Sequence, residues 1–347
     1  MSLLHRLLSV GSSLFRDGRG FRLALVAAYL ALVLHPDAPL RSWLGPDALV
    51  LSLPGFVAAL ALFEIAFHRW CGADRLPRAL DHYRNGDLCL ARRALERVVR
   101  LNRHRGVCAR ASGFLAALHI EQGRFAEASG CILAARSFEE SRAAKAHHLA
   151  LEGMIHHLLG QPREALNRLE SAASMRPRKP VRGLIHVVRA ALVLFHESRP
   201  EFALAQLDRA AALPGHPLAD RYFPVLSALA LAESENLDEA RAMLAGVRGP
   251  LPLAPYAVGR ILQIEHELEN AVAAYEEALA ALGGEFILYR ALVRFRLGTA
   301  CLELGRVETG SHALLEALEG PLPKPYRRVV PKLALPAETP SRDLTAP

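Results

Sequence analysis

The sequence predicts an all-α protein: an N-terminal transmembrane helical hairpin, of one or two spans, followed by an α-solenoid of about seven helix-turn-helix repeats. Three observations predict it. Two apolar stretches lie close to the N-terminus, the pattern becomes polar with a helical period from residue 72, and a self-similarity of about 37 residues then runs to residue 317. Composition agrees: 52% of the 347 residues are hydrophobic and 22% charged, with only 24 Gly and 22 Pro, which excludes collagen-like and globally disordered chains. The five cysteines, at 71, 89, 108, 131 and 301, form no C-x-x-C pair and no cluster with metal-ligand spacing. They describe neither a disulfide framework nor a zinc site, and scattered free thiols fit a reducing compartment.

After a basic N-terminus (1–20) comes the first apolar helix (21–35), whose run Phe21 to Leu34 follows Arg16, Arg19 and Arg22 and stops at His35-Pro36. At 1.5 Å per residue it reaches roughly 21 Å, short for a span. A cleaved signal peptide is its rival, though no A-x-A-like site follows. The second helix (48–67) is broken only by Ser52, Pro54, Gly55 and Glu64 and would reach roughly 30 Å, the thickness of the hydrocarbon core. Neither stretch has a polar stripe, which points to lipid rather than to a buried core. The short outer loop (36–47) holds Arg41 against Asp37 and Asp47, whereas Arg69, Arg75 and Arg78 follow the second helix. The positive-inside rule therefore places everything beyond Phe67 in the cytoplasm. Glu64, four positions from its helix end, reads as a carboxylate at the inner interface.

The repeat is read from Gly86-Asp-Leu-Cys-Leu-Ala91, Gly123-Arg-Phe-Ala-Glu-Ala128 and Gly160-Gln-Pro-Arg-Glu-Ala165. Each Ala has an apolar residue four positions on (Leu95, Ile132, Leu169) and a small one three further (Val98, Ala135, Ala172). Looser copies are anchored at Ala203, Ala240, Ala271 and Gly310, for a mean spacing of 36.5 residues. A Gly ends one helix in a tight turn, a small residue lets the next approach it, and the i+4 and i+7 positions make one buried stripe. Ahead of each turn the small residues Ala116, Gly153, Ala191, Ala228, Gly259 and Gly298 mark a matching first helix. Spacing contracts to 31 between Ala240 and Ala271, around Gly249 to Pro255, which predicts a bend or weak joint.

On Leu149, Gly153, Gly160, Ala165, Leu169, Ala172 and Pro177 the chain resembles the tetratricopeptide repeat family, over roughly residues 72 to 320. It departs in spacing, 37 or 38 where the family has 34, and often lacks the aromatic near the end of the first helix. The solenoid is accordingly placed at 68–320. The resemblance implies a partner-binding groove lined by the first helices, which here would hold Met154, His157, Val188, Leu192, Phe195, Tyr222, Leu229 and Tyr256. The rival reading is that these residues seal an interface between repeats or against the tail. A clamp for a peptide carboxylate, known in a subgroup of the family, is not expected, because apolar residues occupy the corresponding surface.

No nucleotide-binding, metalloprotease or nucleophile-elbow motif occurs, so no catalytic residue, metal site or cofactor is assigned and the protein is expected not to be an enzyme. Of 15 histidines, His82, His119 and His156 each precede a turn glycine by four residues. Equivalent residues of stacked helices stand roughly 8–10 Å apart, too far to share one metal ion, so core packing is expected of them. Gly320 onward carries seven prolines in 28 residues, and the Pro-rich tail (321–347) reads as an extended linker.

The formal net charge of +7 is local: residues 1–67, 68–110 and 111–347 carry +1, +7 and −1. A nucleic-acid ligand would want a basic stripe along the solenoid. A collar of Arg69, Arg75, Arg78 and Arg84 beside a membrane helix suits anionic lipid head groups instead. The sequence thus leads to the expectation of a non-catalytic, membrane-anchored scaffold or assembly factor at the cytoplasmic face of a bacterial inner membrane. Its expected partners are proteins in the groove and membrane lipids, with neither nucleic acid nor a small-molecule substrate. The alternative is a regulator of a lipid or envelope pathway acting through its transmembrane segments.

Overall fold

The computed structural model describes residues 75–102, 105–138, 141–213 and 215–334, of which those at 75–99 and 105–334 belong to one compact unit. The two apolar segments, Glu64 and Arg69 lie outside the described residues. Among those described, no helix is long and apolar enough to cross a membrane.

Among the described residues, fourteen helices make seven antiparallel pairs. They are α1 (75–84) with α2 (Leu88–Leu101), α3 (Arg105–Glu121) with α4 (Phe125–Phe138), and α5 (Arg142–Leu158) with α6 (Pro162–Ser174). Then come α7 (Lys179–Leu192) with α8 (Pro200–Ala211), α9 (Pro217–Glu233) with α10 (Leu237–Ala245), α11 (Ala254–Ile264) with α12 (Leu268–Ala281), and α13 (Ile287–Glu303) with α14 (Val307–Glu319).

One turn joins every pair. Its key residue is left-handed and stands five positions before the repeat's anchor: Gly86, Gly123, Gly160 and Gly305, but also Ser198, Glu235 and His266. The next N–H bonds back to the carbonyl five residues earlier, as from Asp87 to His82 at 2.9 Å and from Arg124 to His119 at 2.8 Å, which closes the first helix. In the fourth repeat the bond instead runs six residues, from Arg199 to Val193, because α7 ends in a π turn over Val193–Glu197. That inserted residue explains the 38-residue spacing between Ala165 and Ala203.

The second helices are amphipathic in the expected way. α2 buries Ala91, Leu95 and Val98, α6 buries Ala165, Leu169 and Ala172, and α8 buries Ala203, Leu207 and Ala210. The fifth repeat departs, because α10 stops at Ala245 after nine residues and buries only Ala240. The first helices are different in kind: α3 buries 12 of its 17 residues and α9 buries 13 of 17. A helix buried on all sides needs neighbours on all sides. They come from distant repeats: Arg84 of α1 meets Asp220 of α9, the Phe125 N–H of α4 donates to Glu285 just before α13, and His157 of α5 meets Tyr289 of α13.

Two expectations are corrected. The stretch around Gly249 is not a weak joint, since the carbonyls of Arg248 and Pro250 accept hydrogen bonds from Arg221 at 2.7 and 2.8 Å. Nor is the start of the tail an extended linker. Residues 321–334 form two short helices, α15 (Lys324–Arg327) and α16 (Val330–Ala334), and bury Leu322 and Val330. The Tyr326 ring lies 5.2 Å from that of Phe295, with the Arg296 guanidinium 5.6 Å from the Tyr326 centroid. Apolar and aromatic residues between the prolines supply the burial that a linker lacks.

Close approach within a pair is most demanding at Gly298. A Cβ there would lie 2.7 Å from Leu314 Cγ and 2.9 Å from the Gly310 carbonyl oxygen, a backbone atom that cannot swing away. Gly298→Ala is expected to lower stability by about 1–3 kcal/mol in urea unfolding. Gly283→Ala, with open space around it, should change stability by less than about 0.5 kcal/mol.

Candidate functional site

The site expected from the sequence was a groove on the first helices. All eight of its residues are buried: Met154, His157, Val188, Leu192, Phe195, Tyr222, Leu229 and Tyr256 are each no more than 7% exposed. No partner can lie against them in this conformation, so the groove assignment is corrected to an internal seam. The physical reason is that first helices of separate repeats meet across it. His157 Nε2 is 3.2 Å from the Tyr289 hydroxyl, and the Phe195 ring packs on Tyr289 and Tyr256 at centroid distances of 5.5 and 6.5 Å. The tail closes one end, where a Cβ on Gly160 would collide with the ring of Pro321.

Two polar clusters cross the seam, neither singled out by the sequence. In the first, Glu121 at the end of α3 binds Arg221 of α9 at 2.6 Å, with both side chains almost wholly buried. The remaining Arg221 nitrogens reach the carbonyls of Arg248 and Pro250, so one guanidinium ties the second repeat to the fifth and to the loop after it. That loop also passes close to the first repeat, since a Cβ on Gly249 would stand 3.0 Å from the Gly86 Cα. In the second cluster Glu233 sits between Arg260, at 2.7 and 3.0 Å, and Arg296, at 2.7 Å. Burial pushes its carboxyl up, but the two guanidinium groups outweigh that and hold it below the ordinary range. Glu121 and Glu233 each close a long apolar run, Phe-Leu-Ala-Ala-Leu-His-Ile-Glu121 and Val-Leu-Ser-Ala-Leu-Ala-Leu-Ala-Glu233, and that was the available signal.

The histidines divide into two sets. His82, His119 and His156 are half-buried at the turns rather than in the core, with His156 Nδ1 held by Gln161 Oε1 at 2.7 Å. His147 and His216 are buried and share one N–H, with their Nε2 atoms 2.9 Å apart against the Phe114 ring. No carboxylate stands in that pair, and no group of three metal-ligating side chains occurs among the described residues. The pair works as a neutral clasp between α5 and the start of α9.

Of the collar, Arg75 and Arg78 are exposed on α1. Arg84 is engaged within the fold, 3.3 Å from both Asp81 and Asp220. What the unit offers solvent is the outer side of its second helices, where Leu133 (63% exposed), Phe202 (61%) and Leu315 (56%) stand unburied.

Burial lowers His157 and His216 well below the ordinary histidine value, and His147 to about 3, with neighbouring His196, His147 and His148 respectively adding to it. Each is therefore neutral when folded but titrates near 6.5 when unfolded, so the unfolded chain takes up more protons as the pH falls below that value. Stability should drop by about 1.3 kcal/mol per histidine, about 4 kcal/mol in all, between pH 7 and 5.5, as read by urea midpoints. Separately, Arg221→Leu leaves the Glu121 carboxylate buried without its cation and should cost about 3–5 kcal/mol in the same measurement.

No family model matches the chain, and no curated protein matches it. Among solved structures it is similar to a tetratricopeptide repeat protein from Parabacteroides merdae, at 15% identity and a TM-score of 0.38 over 76% of this chain and 97% of that one. The helical-repeat architecture accordingly rests on the pairs, turns and stripes described above.

Proposed function

We propose that the protein is a non-catalytic scaffold or assembly factor, anchored in a bacterial inner membrane through residues 1–67, which presents its repeats in the cytoplasm and holds a protein partner on their outer face. The observation that carries the choice of face is the burial contrast between the helices of the second to fifth pairs. There the first helices put most of their residues out of solvent, whereas α4 and α8, like α14, leave Leu133, Phe202 and Leu315 in water. Support for anchoring comes from the apolar run at 48–67 and from Arg75 and Arg78, which follow it and are free to meet anionic head groups. The unsealed alternative, activity residing in the membrane segments themselves, draws on the same apolar runs.

Leu133→Glu with Phe202→Glu is expected to leave urea unfolding within about 1 kcal/mol of the parent, because both side chains are exposed, while abolishing photo-crosslinks to the partner from neighbouring positions. Unchanged crosslinks would overturn the outer-face assignment. Recovery of the full chain in the soluble fraction would overturn the anchor. Exchange of residues 1–67 for an unrelated membrane anchor should preserve function, and its loss would favour the alternative.

A further inference from the structure

A basic cavity of about 410 Å³ lies where the C-terminal end of α6 meets α7, between the third and fourth repeats. Its polar lining is Arg176, Arg182, His186 and Arg189, set against the apolar Ala173 and Ile185, and no acidic residue contributes. Arg182, His186 and Arg189 stand at i, i+4 and i+7 of α7, which puts them on one helix face. Arg176 arrives from the turn after α6 in a left-handed conformation, φ +53, where glycine would be the unstrained choice.

Arg176 and Arg182 are exposed and Arg189 is half-buried, and the three differ from the arginines that the fold buries. Arg221 has Glu121, and Arg260 and Arg296 share Glu233. Among the described residues no carboxylate pairs with Arg176, Arg182 or Arg189, and Arg189 Nε is buried with no hydrogen-bond partner. His186 is already oriented by Gln206 Oε1, 2.9 Å from its Nδ1. The α6 C-terminus supplies roughly half a negative charge through its helix dipole, far short of three full positive ones. A buried, unpaired guanidinium N–H is costly, and the planar fork of arginine matches the oxygens of a phosphoryl group.

We propose that this cavity binds a small soluble phosphoryl anion, gripped by Arg182 and Arg189 and capped by Arg176, with Ala173 and Ile185 facing the carbon part of an organic phosphate. A cavity of this volume holds a compact organic phosphate. The site is independent of the partner on the outer face, and of whether the chain is anchored.

The test is calorimetric titration and thermal unfolding of the full chain in detergent with pyrophosphate, and in parallel with vesicles containing phosphatidylglycerol. Pyrophosphate should bind with one-to-one stoichiometry and raise the melting temperature. Arg182→Gln and Arg189→Gln should each weaken it about tenfold or more, while Arg97→Gln, exposed on α2 and not among the residues lining the cavity, should not. Arg176→Gly separates binding from folding: it relieves the left-handed strain, so the free protein should melt no lower, yet pyrophosphate should bind more weakly. Equal responses from the parent and the Arg182→Gln and Arg189→Gln variants, or no response at all, would overturn the site. Binding to the vesicles but not to pyrophosphate, lost in the same variants, would place the phosphoryl group on a lipid head and overturn the soluble ligand.

Discussion

The rest of the molecule depends on the closure of the repeat array on itself. Stacked helix pairs ordinarily touch only the next pair, which leaves the inner face of the first helices in water. Here the Glu121–Arg221 bond, the His147–His216 clasp and the His157–Tyr289 contact join repeats two to four positions apart. α9 then has almost no solvent side, which is why it can carry Val225, Leu226, Leu229 and Leu231 around its girth and remain part of a folded protein. The polar residues admitted to this seam are those that satisfy each other across it.

Closure also decides where the chain's surface character lies. With the inner face sealed, the surface left to solvent includes the second helices, whose single buried stripe leaves most of each helix exposed. Charge follows the same division. Inside, arginine and glutamate are paired or the histidines are neutral; outside, Arg75 and Arg78 of α1 and the cavity beside α7 carry charge with no carboxylate set against it.

Local structure was legible in the sequence because its causes are local. A small residue with apolar partners four and seven positions on defines one helix stripe, and Ala91, Ala128, Ala165 and Ala203 each begin a stripe where expected. The turns were half legible. Gly86, Gly123 and Gly160 announced left-handed positions, Gly305 holds another, and Ser198, Glu235 and His266 adopt the same backbone without a residue that signals it. The seam was not read because its partners are far apart in the chain: Tyr289 lies 132 residues from His157, and no periodicity connects them. A signal was nonetheless present. Helices apolar all round cannot line an open groove in water, and Glu121 and Arg221 are charges that such helices would carry only as a pair. The cavity beside α7 was missed for another reason, since arginines abound here and only three-dimensional neighbours distinguish a paired one from a free one.

The bond from Arg221 to the second repeat and to the loop after α10 changes what kind of polymer the chain is. An open solenoid is quasi-one-dimensional: it can nucleate anywhere, grow by nearest-neighbour steps and lose a terminal unit with modest effect on the remainder. Once repeats separated by about a hundred residues share a buried ion pair, assembly must close long loops before that reward is collected. The array should then fold more cooperatively and more slowly than an open solenoid of the same length, and its terminal units should act as keystones rather than removable caps.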